Sequence, residues 1–264
     1  MNSVNLDKYS DPFFLGETKE ELRRIRQDFH VHPEIGLVTP RTSRIIADLL
    51  KDYGVDEVHE GVGGDGVVGV IYGKLPGEAS VGLRADIDAL PLKELSNHDH
   101  VSQVEGAMHA CGHDFHTSVI LGAAYLLKAR EDQLTGRVRL FFQPAEERFG
   151  GASQLIKAGA LENVDAIFGL HNAPELPVGT FSTKGGAFYA NVDRFVFKVT
   201  GKGAHAARPH EGKDAILLAS QLVTVLQSVA SREVNTLDSV VLSVTRIQGG
   251  NTWNVLPESV ELEG

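Results

Sequence analysis

An α/β domain followed by a smaller α+β module is what this sequence predicts, on two observations. Through roughly the first 187 residues, short apolar runs of strand length alternate with helix-period stripes, and successive runs end in Asp, Glu or His. After a glycine-rich stretch at 179–190 the pattern changes to a half-buried alternation in the order β-loop-α-β-β, about two thirds of a small α+β sandwich. The expected division is therefore 1–187 and 188–264.

In chain order, the first dozen residues are polar and expected to fray. The stretch 17–30 carries Leu22, Ile25 and Phe29 on one helical face, and Pro33 stops it. A second helix opens at Pro40, with Ile45, Ile46, Leu49 and Leu50 as its stripe, and ends near Gly54. Between the two, His30 and His32 can be read as ligands or as structural hydrogen-bonding groups at a helix end, and the second reading is preferred. Buried strands are expected at 66–72 and 81–84, the latter running into Asp86 and Asp88. In open α/β sheets the carboxyl ends of strands are where ligands bind, which favours Asp86 as a site residue, whereas Asp88 reads as a cap of the following turn. The polar stretch 97–104, with His98 and His100, reads as a solvated loop. A helix is expected at 117–129, a strand at 137–142 delivering Glu146 and Glu147, a short helix at 151–158, and a strand at 166–170 ending at His171. In the second module, strands are expected at 194–200, 239–248 and 258–262, around a helix at 214–231.

The densest chemistry lies in Met108-His109-Ala110-Cys111-Gly112-His113-Asp114-Phe115-His116, where the only cysteine, three histidines and an aspartate share nine residues. Cys111 and His113 are close enough to hold one transition-metal ion, and Asp114 could orient the imidazole. Both lie where the dipole of the following helix favours a thiolate. The alternative is a buried thiol with surface histidines. The neighbours Glu146 and Glu147 point in different directions, so one can bind a metal while the other faces a water.

The 264 residues, 42% hydrophobic and 23% charged, have ordinary globular composition and allow one large domain or two. A net charge of -10, without a basic patch, argues against nucleic acid or an anionic membrane as partner. One cysteine excludes an internal disulfide framework, and there is neither a signal-peptide pattern nor a run of eighteen apolar residues. A cytoplasmic protein with small-molecule partners is the expectation.

Five motifs in order, Gly-Leu-Arg-Ala-Asp-Ile-Asp-Ala-Leu-Pro, Met-His-Ala-Cys-Gly-His-Asp, Gln-Pro-Ala-Glu-Glu, Gly-Leu-His and Gly-Ala-His-Ala-Ala-Arg-Pro-His-Glu-Gly-Lys-Asp-Ala-Ile, resemble the M20 metallopeptidase family. The nearest branch is that of the amidohydrolases of N-acyl amino acids, which includes hippurate, indole-acetyl-amino-acid and N-acetyl-amino-acid hydrolases. The resemblance implies a zinc-peptidase-like catalytic domain with a mixed sheet flanked by helices, and an inserted ferredoxin-like lid through which the protein forms a homodimer. It implies two divalent ions, manganese or zinc, held by Cys111, His113, Glu147 and His171, with Glu146 as general base. It further implies that His205 stabilises the oxyanion, reaching into the partner subunit's site, and that Asn254 contacts the substrate carboxylate. The family's returning segment, with its last histidine ligand, has no counterpart here, so the sequence reads as a C-terminally truncated member. Alternatives are a remnant that only binds metal or dimerises, and a metallo-aminopeptidase or dipeptidase.

Overall fold

The computed structural model describes residues 17–147 and 150–264; the polar first dozen residues, expected to fray, lie outside that range. The chain divides into two compact units, the first ending at Gly179 and the second running from Thr180 to Gly264.

The first unit contains α1 (Glu17–Val31), α2 (Pro40–Asp52), β1 (Glu57–Val62), β2 (Gly66–Tyr72), β3 (Leu75–Asp86), α3 (His113–Lys128), β4 (Thr135–Gln143), α4 (Gly151–Lys157) and β5 (Ala166–Gly169). Its sheet is mixed, in the order β1-β2-β4-β3-β5. β1 and β4 lie antiparallel to β2, while β3 runs parallel to both β4 and β5. The period-2 alternation of β4 sorts its side chains between two cores. Leu140 and Phe142 join Val67, Ile71, Ile46, Leu50, Ile120 and Leu121 under α1, α2 and α3, whereas Phe141 joins Val68 and Leu155 under α4. Burial of this kind is the main term holding the sheet to its helices; truncating a buried Phe to Ala costs about 3–5 kcal/mol.

Three features position the site. Pro40 opens α2, and the carboxylate of Glu34 accepts the N–H groups of Arg41 (3.2 Å) and Thr42 (2.8 Å), satisfying donors that a helix start leaves bare. Reciprocal hydrogen bonds of 3.0 Å between Leu90 and Met108 pin the loop before Cys111 to the exit of β3. Parallel pairing of β3 with β4 and β5 then brings Asp86, the turn after Gln143 and the turn after Gly169 to one sheet edge.

Departures from expectation have local causes. β1 is unanticipated, because its polar sequence carries no strand period and only its ladder with β2 makes it a strand. α3 begins at His113 rather than at 117, since its first turn is polar and yet buried, with His113, Asp114, His116 and Thr117 all inside. β5 is an exposed edge, with Ile167 and Phe168 in solvent.

The second unit holds a three-stranded antiparallel sheet in the order β6 (Val196–Thr200), β10 (Ser259–Glu263), β8 (Arg246–Gly249), and a two-stranded ribbon of β7 (Ala204–His205) with β9 (Val255–Leu256). Helix α5 (Ala215–Ser228), capped by Asp214 accepting from the N–H groups of Ile216 and Leu217, packs Ala215 and Ala219 against Val260 and Leu262. Ile216, Leu217, Leu218 and Val225 stay exposed. The segment Ala215–Glu233 is long and apolar enough, by length and composition, to cross a membrane. The strand expected at 239–248 is confined to Arg246–Gly249, where β10 supplies its ladder. β6 is more exposed than its alternation predicts, with Phe197 open and Val199 half-buried.

Candidate metal centre

The ends of β3, β4 and β5 and the first turn of α3 converge. His113 is 1% exposed, and its Nδ1 lies 2.8 Å from the backbone oxygen of Asp88. An Nδ1–H donated there leaves Nε2 with a lone pair directed at Asp86 Oδ2 (3.6 Å), Glu147 Oε1 (3.8 Å) and Glu146 Oε2 (3.9 Å). Cys111 Sγ and His171 Nε2 stand 3.3 Å apart, while His171 Nδ1 is 2.8 Å from the oxygen of Asn172. Ligand-type atoms of Cys111, His113 and His171 lie within 4.8 Å of one another, as do those of His113, Glu146 and Glu147. His113 is common to both groups.

Gly112 makes this convergence possible. It turns into α3 with φ of +92°, and a Cβ there would sit 2.5 Å from Asn172 Oδ1, so only glycine admits both the left-handed turn and the close approach. Ala145, at φ +52° and buried, plays the matching part before Glu146 and Glu147. It holds a conformation that side chains with a Cβ seldom adopt, and the two glutamate N–H groups behind it donate to Asp88, Glu146 to Oδ1 at 2.9 Å and Glu147 to Oδ2 at 3.2 Å.

The electrostatics follow from crowding carboxylates. Burial, reinforced by Glu147 and Asp86, pushes the Glu146 carboxyl above its usual range. Burial and the charge of Glu147 push the Cys111 thiol up to about 12. Burial first, and the neighbouring carboxylates after it, thus oppose the thiolate that the start of a helix favours. Against the cost of burial, the His116 imidazole and Arg84 hold Asp86 down to about 2. Burial likewise opposes charge on His113, but Asp88 and Asp86 prevail and raise it.

Two buried atoms, His113 Nε2 and Glu147 Oε1, have no hydrogen-bond partner although they face the same space. An unpaired acceptor buried beside another costs about 1–3 kcal/mol, and a cation between them removes that cost. The donor set of thiol, imidazole and carboxylate is the borderline chemistry that suits zinc-like divalent ions. The residues present thus fit a divalent metal.

Of the residues singled out from sequence, Cys111, His113, Glu146, Glu147 and His171 are brought together. His205 and Asn254 lie in the second unit, where pairing of His205 with Val255 and the 2.9 Å bond from Ala206 N to Asn254 O make them neighbours. One assignment is corrected. Asp114 does not orient His113; it points instead to His30 Nδ1 (2.9 Å) and Arg26 Nε (2.9 Å), because consecutive helical residues project about 100° apart. Asp88 takes the orienting role and is more than a turn cap. His30 is buried, its Nδ1 2.9 Å from Asp114 Oδ2. His116, counted in the cluster, and Asn172 were given no role: His116 Nδ1 is 2.6 Å from Asp86 Oδ1, and its Nε2 is 2.6 Å from Asn172 Oδ1. The signal available was the spacing of His113 and His116, which places them on one helical face.

A mixed α/β scaffold that gathers carboxylate, imidazole and thiol donors from its parallel strand ends and from the start of α3 has the makings of a divalent-metal centre. The chain belongs to Peptidase family M20/M25/M40, whose family model matches residues 82–260. It is 46% identical over 261 residues to N-acetyl-L-cysteine deacetylase of Bacillus subtilis (strain 168), covering 99% of this chain and 62% of that protein. It is 46% identical over 241 residues to IAA-amino acid hydrolase ILR1-like 4 of Arabidopsis thaliana, covering 91% of this chain and 54% of the relative. Among solved structures, a dinuclear metal binding peptidase of the M20 family from Bacillus subtilis superposes with a TM-score of 0.73 at 40% identity, covering 94% of this chain and 63% of that one. The chain thus spans less than two thirds of the length of these relatives.

Proposed function

We propose that this chain carries the catalytic centre of a metal-dependent amidohydrolase that cleaves the amide bond of N-acyl amino acids. The observation that supports it most is the pair of partnerless buried atoms, His113 Nε2 and Glu147 Oε1, with the Glu146 carboxylate beside them. The names of two relatives, a deacetylase of N-acetyl-L-cysteine and a hydrolase of IAA-amino acids, describe the same bond type, an acyl group on an amino acid nitrogen.

Cys111, His113, Glu147 and His171 would hold two divalent ions, manganese or zinc. When bound, such ions polarise an amide carbonyl and acidify a water. The chain's own part is proton handling and orientation. Glu146, half-exposed where Glu147 is more buried and with its carboxyl raised, is suited to take the proton of the attacking water and return it to the leaving amine nitrogen. Asp88 fixes the direction of both glutamates through their N–H groups and of His113 through its carbonyl. His116 and Asn172 brace Asp86 at the rear of the site.

The second unit is read as the lid and dimerisation module, with residues from 188 onward forming it. His205 would stabilise the oxyanion in the partner subunit's site and Asn254 would bind the substrate carboxylate. The exposed apolar residues of α5 support a second copy as the partner; sedimentation as a monomer at high concentration would remove the reaching role of His205. The single cysteine, which has no disulfide partner, supports a cytoplasmic location.

The test is amino acid release from N-acetyl, benzoyl and indole-acetyl amino acids, with unblocked dipeptides for comparison. It is run with added manganese or zinc on the 264-residue chain and on the chain extended by a relative's C-terminal segment. Chelator-sensitive release that Glu146→Gln abolishes at unchanged metal content is expected. Turnover retained by Glu146→Gln, or none in either form, overturns the proposal; preference for unblocked dipeptides would move the chain to the aminopeptidases.

A further inference from the structure

A second group of donors, apart from the centre above, closes around His30. Its Nδ1 lies 2.9 Å from Asp114 Oδ2 and its Nε2 3.2 Å from Glu94 Oε1, so both ring nitrogens face carboxylate oxygens. A neutral imidazole carries one N–H, and whichever nitrogen bears it, the other presents a lone pair to an anion. That conflict is buried, the side chains of His30 and Glu94 being 5% and 3% exposed. It is resolved by a second proton on His30 or by a cation between Nε2 and Glu94.

Asp114 and Glu94 raise His30 against the cost of burial, which favours the second proton where no cation is bound; a third donor beside them makes the cation the alternative. His98 Nε2 lies 3.1 Å from the same Glu94 Oε1, and the ligand atoms of His30, Glu94 and His98 all lie within 4.8 Å of one another. Donor-to-donor edges of 3.1 and 3.2 Å are close to the edge of about 3.3 Å that bonds of about 2.0 Å give in a tetrahedral zinc site. Against the cost of burial, Ser96 Oγ, Ser102 N–H and His30 hold Glu94 ionised, down to about 2. Asp114 stands behind His30 as the carboxylate that fixes the tautomer of a metal-bound histidine, and Arg26 steadies Asp114 in turn. The ring of His100 stacks on that of His98 at 4.0 Å and lies 5.6 Å from that of His30, a further imidazole beside the group.

We propose that His30 Nε2, Glu94 Oε1 and His98 Nε2 form a further divalent-cation site, of zinc-like preference, independent of the centre at Cys111 and His113. Two imidazoles and a carboxylate select zinc, nickel or copper over magnesium or calcium. The bound ion ties the 92–104 loop to the end of α1 and, through Asp114, to the first turn of α3 beside His113. With His98 partly in solvent the ion is exchangeable, so occupancy follows ambient zinc.

The test uses zinc and cobalt as probes on the full chain. Equilibrium dialysis of a Cys111→Ala/Glu147→Gln chain, in which the first centre is disabled, is expected to retain one equivalent of zinc. Adding His98→Ala weakens that equivalent by about tenfold or more, with loss of the cobalt visible band. In the otherwise unaltered chain His98→Ala removes one equivalent whether or not the first centre binds, which separates failure of this site from failure of the proposed function. His98 is surface-exposed, so the variant folds as the parent does, checked by circular dichroism; Glu94→Gln provides the second variant. Unchanged zinc affinity in both variants overturns the proposal. So does a His30 ring that shows two N–H protons by NMR and does not respond to zinc, which would identify an imidazolium bridging Asp114 and Glu94.

Discussion

Replacing Asp88 by Asn tests whether one buried carboxylate holds the catalytic turn. Asp88 is 1% exposed, and its two oxygens accept the N–H groups of Glu146 at 2.9 Å and Glu147 at 3.2 Å. Hydrogen bonds to a charged group contribute about 1.5–3 kcal/mol each. Asparagine keeps the shape but offers one oxygen, and turns an N–H donor towards the amide it can no longer serve. The expected loss is one charge-assisted bond and a weakening of the other, about 2–4 kcal/mol. At about 2–4 °C per kcal/mol for a domain of this size, the thermal midpoint falls by about 5–15 °C. Because the same carboxylate directs Glu146 and Glu147, affinity for zinc falls about 10–100-fold, as for other groups that orient metal ligands. Scanning calorimetry of the metal-free chain gives the first number and competition with a fluorescent chelator the second. An Asn variant with the parent's midpoint and zinc affinity would refute the assignment of Asp88 as the anchor of the turn. A lowered midpoint with unchanged affinity would reduce its part to folding alone.

Two further outcomes follow from single residues. Gly112→Ala places a Cβ 2.5 Å from Asn172 Oδ1 at a φ of +92°; strain of about 1–2 kcal/mol and overpacking of about 1–3 kcal/mol together lower the denaturation midpoint, and the contact of His116 with Asn172 loosens, visible in the His116 ring resonances. An unshifted midpoint and unmoved resonances count against the close approach. His109 is 5% exposed, both its ring nitrogens lack partners, and burial depresses it from 6.5 to about 4. Its neutral form is the one that folds, so its contribution is complete above about pH 6.5 and is lost as pH falls through about 4, amounting to about 3 kcal/mol. Urea unfolding of the metal-free chain from pH 7 to 4 is expected to show a steeper loss in the parent than in His109→Gln, and equal slopes would show that His109 does not carry it.

Both core-facing strands at the centre of the sheet were legible in the sequence, because Val67, Val68, Val70 and Ile71 in β2 and Leu140, Phe141 and Phe142 in β4 are unbroken apolar runs. The edge strand β1 was not, since an exposed polar strand exists only by pairing with its neighbour. The family motifs and the presence of Asp, Glu and His at successive strand ends were likewise in the sequence, and with them the donors Cys111, His113, Glu146, Glu147 and His171. These are properties of residue type and spacing along the chain.

Which side chain serves which neighbour was decided by tertiary structure. Adjacent in sequence, His113 and Asp114 diverge around the helix and serve different partners, while Asp88 reaches across the sheet to amides 58 and 59 positions later. His30 and His98, separated by an intervening α/β segment, meet on a single oxygen of Glu94. Spacing sets what a residue can do within one turn or one strand. Hydrogen-bond partners, unpaired buried atoms and shifted acidities arise from groups far apart in the chain, and only folding brings them within 4 Å.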